Sequence, residues 1–327
     1  MSWLAQFNLP ASLLSFGLKL TTKRMLARVQ DPAVLRGIFA RSVRRLARHP
    51  AGALGVPIDL PTGALAEPRT REGLWVTAHG EGWRPQTPVA DPADTTPVIL
   101  YFHGGAFIAG SPQTHRHLAA ALAGAAGGHA LMPDYRLAPE HRLPAALQDA
   151  RAAWDWLMER GFAPSRIALA GDSAGGGLAL SLLADLTADR AALPAAVVAF
   201  SPFADLRGEA GSITQNAGRD AMLPAHRFND LIDFCLGEGG DREDWRVSPV
   251  LATFRAPPPT MIFASLDEIL LDDAIAMTER LRTAGSDPEL EIRRGLPHAW
   301  PVFRGWLAAA DADILRAGQF IARHTGR

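Results

Sequence analysis

The sequence predicts an α/β fold, with a mostly parallel central sheet flanked by helices. Three observations point to it. From Val98 onward, short apolar runs alternate with longer stretches of helical period. Strands that short and apolar suit a parallel sheet covered on both faces, with right-handed crossovers between them. The run Ile167–Ala170 also leads through Gly171-Asp172-Ser173-Ala174-Gly175 into the helical stretch Leu178–Ala184, a strand–turn–helix unit with a serine at its apex.

Composition narrows the class. The 327 residues are 48% hydrophobic, enough for one large α/β domain or two small ones with a sizeable core. A net charge of −1 argues against a nucleic-acid partner. One cysteine, Cys235, excludes a disulfide framework or a multi-cysteine metal site within the chain. It lies in the apolar run Leu231–Leu236 and reads as a buried structural thiol. The protein is expected to be cytoplasmic.

The elements follow in order. Trp3–Leu20 is interrupted by Gln6, Asn8, Pro10, Ser12 and Ser15 and is too polar for a membrane span. No Lys or Arg precedes it and no cleavage-site pattern follows it, so a secretory signal is not expected. Ala11–Ala47 suits amphipathic helices, with Leu13, Leu14, Leu18, Ile38, Phe39 and Val43 on apolar faces. Nine Lys and Arg against Asp31 make residues 1–50 basic. This segment reads as a cap over a site, a helix resting on a membrane surface, or a plain extension with a solvated basic face. Residues 50–97 are rich in Pro and Gly, with a strand at Leu74–Ala78, another near Trp83 and a loop at 91–97. Strands are then expected at Val98–Phe102, Ala130–Pro133, Ile167–Ala170, Val197–Ser201, Thr260–Ser265 and Leu290–Arg294. Helices are expected at Thr114–Ala126, Pro144–Arg160, Ala174–Ala188, Asp272–Ala284 and Trp306–His324. Phe203–Pro257 is too long for a simple connection and reads as an insertion near the site, with a helix at Pro224–Leu236.

A serine hydroxyl is a weak nucleophile and needs a base, itself oriented by an acid. With the serine on a strand–helix elbow, acid and histidine follow it in the chain. His226 lies in the insertion and His324 at the end of the last helix. His298 follows a strand in Leu296-Pro297-His298-Ala299-Trp300, where an open sheet gathers its chemistry. Asp267, directly after Thr260–Ser265, is the expected acid, with Glu268 its near rival. Asp272 and Asp273 read better as first-turn charges of the next helix. Donors for an oxyanion are expected from the N–H groups of Gly104 and Gly105, after the Val98–Phe102 strand, together with Ala174. His103 reads as a loop brace.

These motifs resemble the hormone-sensitive-lipase-like family (family IV) of carboxylesterases in the α/β-hydrolase superfamily. The resemblance rests on His103-Gly104-Gly105-Ala106-Phe107, Asp134-Tyr135-Arg136-Leu137-Ala138-Pro139-Glu140-His141, Gly171-Asp172-Ser173-Ala174-Gly175-Gly176, and the positions of Asp267 and His298. It covers about residues 75–325 and implies the α/β-hydrolase fold. Two departures stand out: Ala106 replaces a third glycine, and Glu268 stands where a proline commonly follows the acid. Tyr135 and Arg136 are expected to support the loop at 103–107. The resemblance implies a two-part cap. Residues 1–50 and 203–257 would form it, and 51–202 with 258–327 the catalytic domain.

The expected activity is hydrolysis of short- to medium-chain acyl esters through an acyl-enzyme, with no cofactor and no metal. Phe107, Phe203, Met222, Leu223 and Trp300 flank the motifs and are candidates for lining the substrate pocket. The expected partner is a small-molecule ester; a homodimer is also entertained. Rivals are a lactonase or amidase on the same triad, a membrane-associated lipase using the basic N-terminus, and a non-catalytic receptor on the same fold.

Overall fold

The computed structural model of the chain describes residues 9–50, 52–61, 70–77 and 95–326. The expectations near Trp83 and over residues 91–94 lie outside these. The N-terminal segment carries helices α1 (Ala11–Leu18), α2 (Arg24–Arg28) and α3 (Pro32–Leu46), with a π-helical turn at Lys19–Lys23 between the first two. Asp31 starts α3 by accepting the Ala33 N–H at 2.8 Å, with Pro32 at the first helical position. Strands β1 (Leu54–Pro61), β2 (Thr70–Thr77) and β3 (Val98–Phe102) follow, then α4 (Pro112–Ala126), β4 (His129–Pro133), α5 (Ala145–Glu159), β5 (Ile167–Asp172), α6 (Ala174–Ala188) and β6 (Ala196–Phe200). The insertion holds α7 (Gly211–Gln215) and α8 (Phe228–Leu236), and the chain ends with β7 (Thr260–Ser265), α9 (Leu271–Thr283), β8 (Glu289–Arg293) and α10 (Ala308–His324).

The strands form one eight-stranded sheet in the order β1-β2-β4-β3-β5-β6-β7-β8. Pairing from β4 through β8 is parallel, while β2 runs antiparallel to both neighbours. This is the α/β-hydrolase fold. Both faces are covered, as successive residues of β3 show. Val98, Leu100 and Phe102 join one apolar cluster with α5, α6 and α9; Ile99 and Tyr101 join the other with α4 and α10.

The expected strands and helices from Val98 onward are present, with ends displaced by at most two residues, except that the helix expected from Pro224 starts as a 3-10 turn at Ala225–Arg227 and becomes α8 only at Phe228. The other exceptions to the reading lie earlier. β1 contains Gly55, Pro57 and Pro61, which hide it in a Pro- and Gly-rich stretch. It is an edge strand, where a missing N–H can face away from the ladder. Leu13, expected on an apolar face, is 56% exposed, whereas Leu18 is buried against the α4/α10 side.

The order of the sheet positions the site. From β3 the chain passes first to β4 on one side and then to β5 on the other, so the ends of β3 and β5 flank a crevice. In open α/β sheets ligands bind at such a switch point.

Candidate active site

Ser173 stands at the crevice on the turn from β5 into α6. Its backbone is held at φ 53° and ψ −120°, a conformation costly for a non-glycine residue. Close packing enforces it. A β-carbon on Gly171 would come within 2.3 Å of the Gly175 carbonyl oxygen, and one on Gly175 within 2.0 Å of the Phe102 oxygen. The glycines therefore let the elbow press onto the end of β3.

His298 lies in the loop after β8, and its Nε2 is 2.8 Å from Ser173 Oγ. The loop is braced from two strands. Ser265 Oγ–H donates to the Leu296 carbonyl at 2.6 Å, and the Ala299 N–H donates to Ser201 Oγ at 3.0 Å. His298 Nδ1 is 2.5 Å from Glu268 Oε2. A carboxylate only accepts, so Nδ1 carries the proton and Nε2 presents its lone pair to the serine hydroxyl. Burial alone would lower the His298 pKa. The hydrogen bond and charge of Glu268, with the more distant charges of Asp220 and Asp172, outweigh it and raise the imidazole above its ordinary value.

The expectation that Asp267 is the residue against His298 is corrected: the structure puts Glu268 there. After β7 the chain turns sharply, and Glu268 folds back so that its Oε1 accepts the Ser265 N–H at 2.7 Å while Oε2 reaches the imidazole. Asp267 turns the other way, and its Oδ2 accepts the Gly295 N–H at 2.7 Å. Glu268 is buried at 1% exposure. The replacement of a proline by Glu268 was the sequence signal for this arrangement.

Gly104 is the second correction. Its N–H donates to Asp172 Oδ1 at 3.1 Å, so it is not free for a substrate oxygen. A β-carbon there would lie 2.2 Å from Asp172 Oδ2. Gly104 thus lets the loop seat on this buried carboxylate. Burial alone would raise the pKa of Asp172. His115, 3.4 Å from Oδ2, and the Tyr101 hydroxyl, donating at 2.6 Å, hold it below the usual carboxylate range instead. Among the described residues the N–H groups of Gly105, Ala106 and Ala174 have no acceptor. Ala106 lines the pocket beside Ser173. Ala174 opens α6, where the first N–H groups have no intrahelical partner.

Further side chains fix this loop from behind. The Tyr135 hydroxyl donates to the His103 carbonyl at 2.6 Å, and its ring stacks on His103 at 4.2 Å. His103 Nδ1 donates to the Gly104 carbonyl at 2.8 Å; burial, reinforced by His115, lowers its pKa to about 3, so the ring is neutral. The Cys235 thiol, raised to about 12 by burial, donates to the Ala106 carbonyl at 3.3 Å. Arg136 does not reach the loop: it pairs with Asp149 at 2.9 Å and bonds Gln148 and the Ala145 carbonyl.

The pocket above Ser173 is apolar. Phe203 and Leu223 line it as expected, joined by Phe228 and Leu231 from the insertion, and Leu26, Val29 and Leu35 come from the N-terminal segment. The other three candidates do not line it. Phe107 is buried with its ring 6.3 Å from that of Phe203. Met222 packs with the α4/α10 cluster. Trp300 is fully buried, and its Nε1–H donates to Asp313 Oδ2 at 3.0 Å. The wall residues before Val98 carried no motif, only helical periodicity.

Comparison with known proteins places the fold and the family. The model of a family described as having the alpha/beta hydrolase fold matches residues 99–302. An acetyl-hydrolase of Streptomyces hygroscopicus is 39% identical over 229 residues, 70% of this chain and 76% of its own length. A protein named carboxylesterase/phospholipase LipF, from Mycobacterium tuberculosis, is 38% identical over 68% of this chain and 61% of its own length. Among solved structures, an esterase from the bacterial hormone-sensitive lipase family superposes with a TM-score of 0.84 at 32% identity, covering 98% of this chain and 99% of that one. An esterase/lipase from an uncultured bacterium gives 0.83 at 29% identity, covering 97% and 99%.

Proposed function

The chain belongs to the alpha/beta-hydrolase family, in its hormone-sensitive-lipase-like branch, and from that premise we propose a serine carboxylesterase acting on short- to medium-chain acyl esters through an acyl-enzyme. The observation that carries this reading is the hydrogen-bonded line Ser173–His298–Glu268 beneath an apolar pocket. Relatives named esterase and acetyl-hydrolase support the reaction class.

In this reading the Ser173 hydroxyl attacks the ester carbonyl as His298 Nε2 takes its proton. Glu268 holds the tautomer and stabilises the imidazolium. The carbonyl oxygen, now negative, accepts from the N–H groups of Gly105, Ala106 and Ala174, the last at the positive end of α6. His298 then protonates the leaving alcohol. A water deprotonated by the same imidazole attacks the acyl-serine and releases the acid. Residues 1–50 and 203–257 are read as a two-part cap, a reading supported by the pocket wall that Leu26, Val29 and Leu35 share with Phe228 and Leu231. Small acyl groups fit a walled apolar site of this kind.

The test is a panel of p-nitrophenyl esters from acetate to dodecanoate, run beside Ser173→Ala. The expected result is turnover highest at the short-to-medium end and reduced at least about a thousandfold in the variant. Turnover unchanged in Ser173→Ala, or a steep preference for the longest chains, would refute the reading.

A further inference from the structure

We propose that Asp220 is a positioning residue for the Glu268–His298 pair, and that Lys23 of the N-terminal segment sets Asp220 in place. The inference rests on the reading of Ser173, His298 and Glu268 as the reacting line, and adds what holds that line in register.

Asp220 belongs to the insertion and is buried at 1% exposure. Its Oδ2 accepts the N–H of Ile269, the residue after Glu268, at 2.9 Å. Its Oδ1 accepts the N–H groups of Met222 and Leu223 at 2.7 and 2.8 Å. The same turn supplies Asn216, whose Nδ2 donates to the carbonyls of Leu266 and Glu268 at 3.0 and 2.9 Å. The tight turn that aims Glu268 at the imidazole is therefore gripped at both ends by insertion residues. The Asp220 N–H closes the insertion's own turn onto the Asn216 carbonyl at 2.8 Å.

The N-terminal segment grips the turn in its own way. Lys23 Nζ donates to the carbonyls of Ala217 and Asp220, both at 2.7 Å, and Lys19 Nζ to Gly218 at 3.0 Å. One helical turn beyond Lys23, Leu26 and then Val29 line the substrate pocket. A shift of this wall pulls on Asp220 and so on the acid. Pocket occupancy and the pose of the triad are thereby coupled through a few hydrogen bonds. The charged groups facing His298 are Glu268 from the turn after β7, Asp220 from the insertion and Asp172 from the end of β5. Asp267 is committed to Gly295.

The experiment titrates His298 by NMR of labelled imidazole, with kcat and KM on p-nitrophenyl acetate, in the full chain. Asp220→Asn keeps an acceptor for Met222 and Leu223 but turns an amide donor toward the Ile269 N–H. It should lower the His298 midpoint and cut kcat about tenfold or more, with KM within about threefold. Lys23→Met separates relay from charge. Loss of a nearby cation would by itself raise the His298 midpoint; a loosened Glu268 lowers it. The expected result is a lower midpoint and a lower kcat. A midpoint unmoved in both variants, or raised in Lys23→Met, overturns the proposal. If Asp220→Asn does not fold, Lys23→Met decides alone. A wild-type protein that hydrolyses no ester refutes the esterase reading, and the His298 midpoints still decide this one.

Discussion

At the scale of the residue, the site depends on a short list of enforced conformations. Ser173 is strained at φ 53°, and the close packing of Gly171 and Gly175 leaves it no relaxed alternative. The two carboxylates after β7 are neighbours in sequence with opposite tasks. Glu268 reaches the imidazole, whereas Asp267 caps the Gly295 N–H. Glu268→Gln should lower kcat about 10³–10⁴-fold, because the amide would no longer fix the tautomer or stabilise the imidazolium. Asp267→Asn keeps an acceptor for Gly295 and should stay within about tenfold of the parent. Steady-state rates on p-nitrophenyl acetate check this, and an inverted order would return the role to Asp267. The chain order serine–acid–histidine narrows the acid to a strand end but not between adjacent residues. That choice depends on which way a tight turn throws a side chain, which spacing does not encode. The same limit applies to the loop at 103–107. Its Gly-Gly pair was legible as a close approach of backbone, but Gly104 approaches Asp172, a contact between segments far apart in the chain.

At the scale of the element, strands and helices from Val98 onward were legible because they are buried on both faces and strongly patterned. β1 was not, since an edge strand tolerates the prolines that read as loop. The wall over Ser173 was legible only as helices of unknown destination. Its two pieces are tied to each other and to the loops beside Ser173 by specific bonds. Arg227 Nη1 donates to the Ala27 carbonyl at 3.2 Å. Arg36 on α3 pairs with Glu140 and donates to the Ile108 and Ala138 carbonyls, both at 2.6 Å. α8 presents Phe228 and Leu231 to the pocket. Filling that wall should shorten the accepted acyl chain. Leu231→Trp is expected to lower kcat/KM for the hexanoate ester about tenfold relative to the acetate ester. An unchanged ratio would mean that α8 does not bound the acyl site.

At the scale of the whole molecule, the fold stores several buried ionisable groups whose preferences set its response to acid. Burial lowers His103 to about 3 and His117 to about 4. Unfolded, each would bind a proton near the ordinary histidine value of about 6.5. The unfolded chain therefore takes up more protons between those limits, and stability falls as pH drops from about 6.5 toward 4. Asp172 acts in the same sense, since its depressed pKa adds stability above the ordinary carboxylate value that is lost in acid. His298 has the opposite sign, adding stability below its unfolded value that is lost as pH rises through its raised folded one. Between pH 6.5 and 4.5 Asp172 is ionised whether folded or unfolded, so the histidines carry the acid response there, joined by His49 and His324, which burial also lowers; Asp273, whose carboxyl burial holds well above the ordinary range, opposes them. Thermal melts should accordingly show Tm declining steadily from pH 6.5 to 4.5, and a level Tm over that interval would contradict the burial of neutral His103 and His117.

The claim beneath these predictions is that Ser173 is made nucleophilic by the imidazole and carboxylate aligned behind it. Mass spectrometry of the protein after brief exposure to a fluorophosphonate at neutral pH tests it most directly. One adduct per chain, mapped to the peptide containing Ser173 and formed far more slowly in Glu268→Gln, is the predicted result. An unlabelled wild-type protein, or an adduct on another residue, would contradict it.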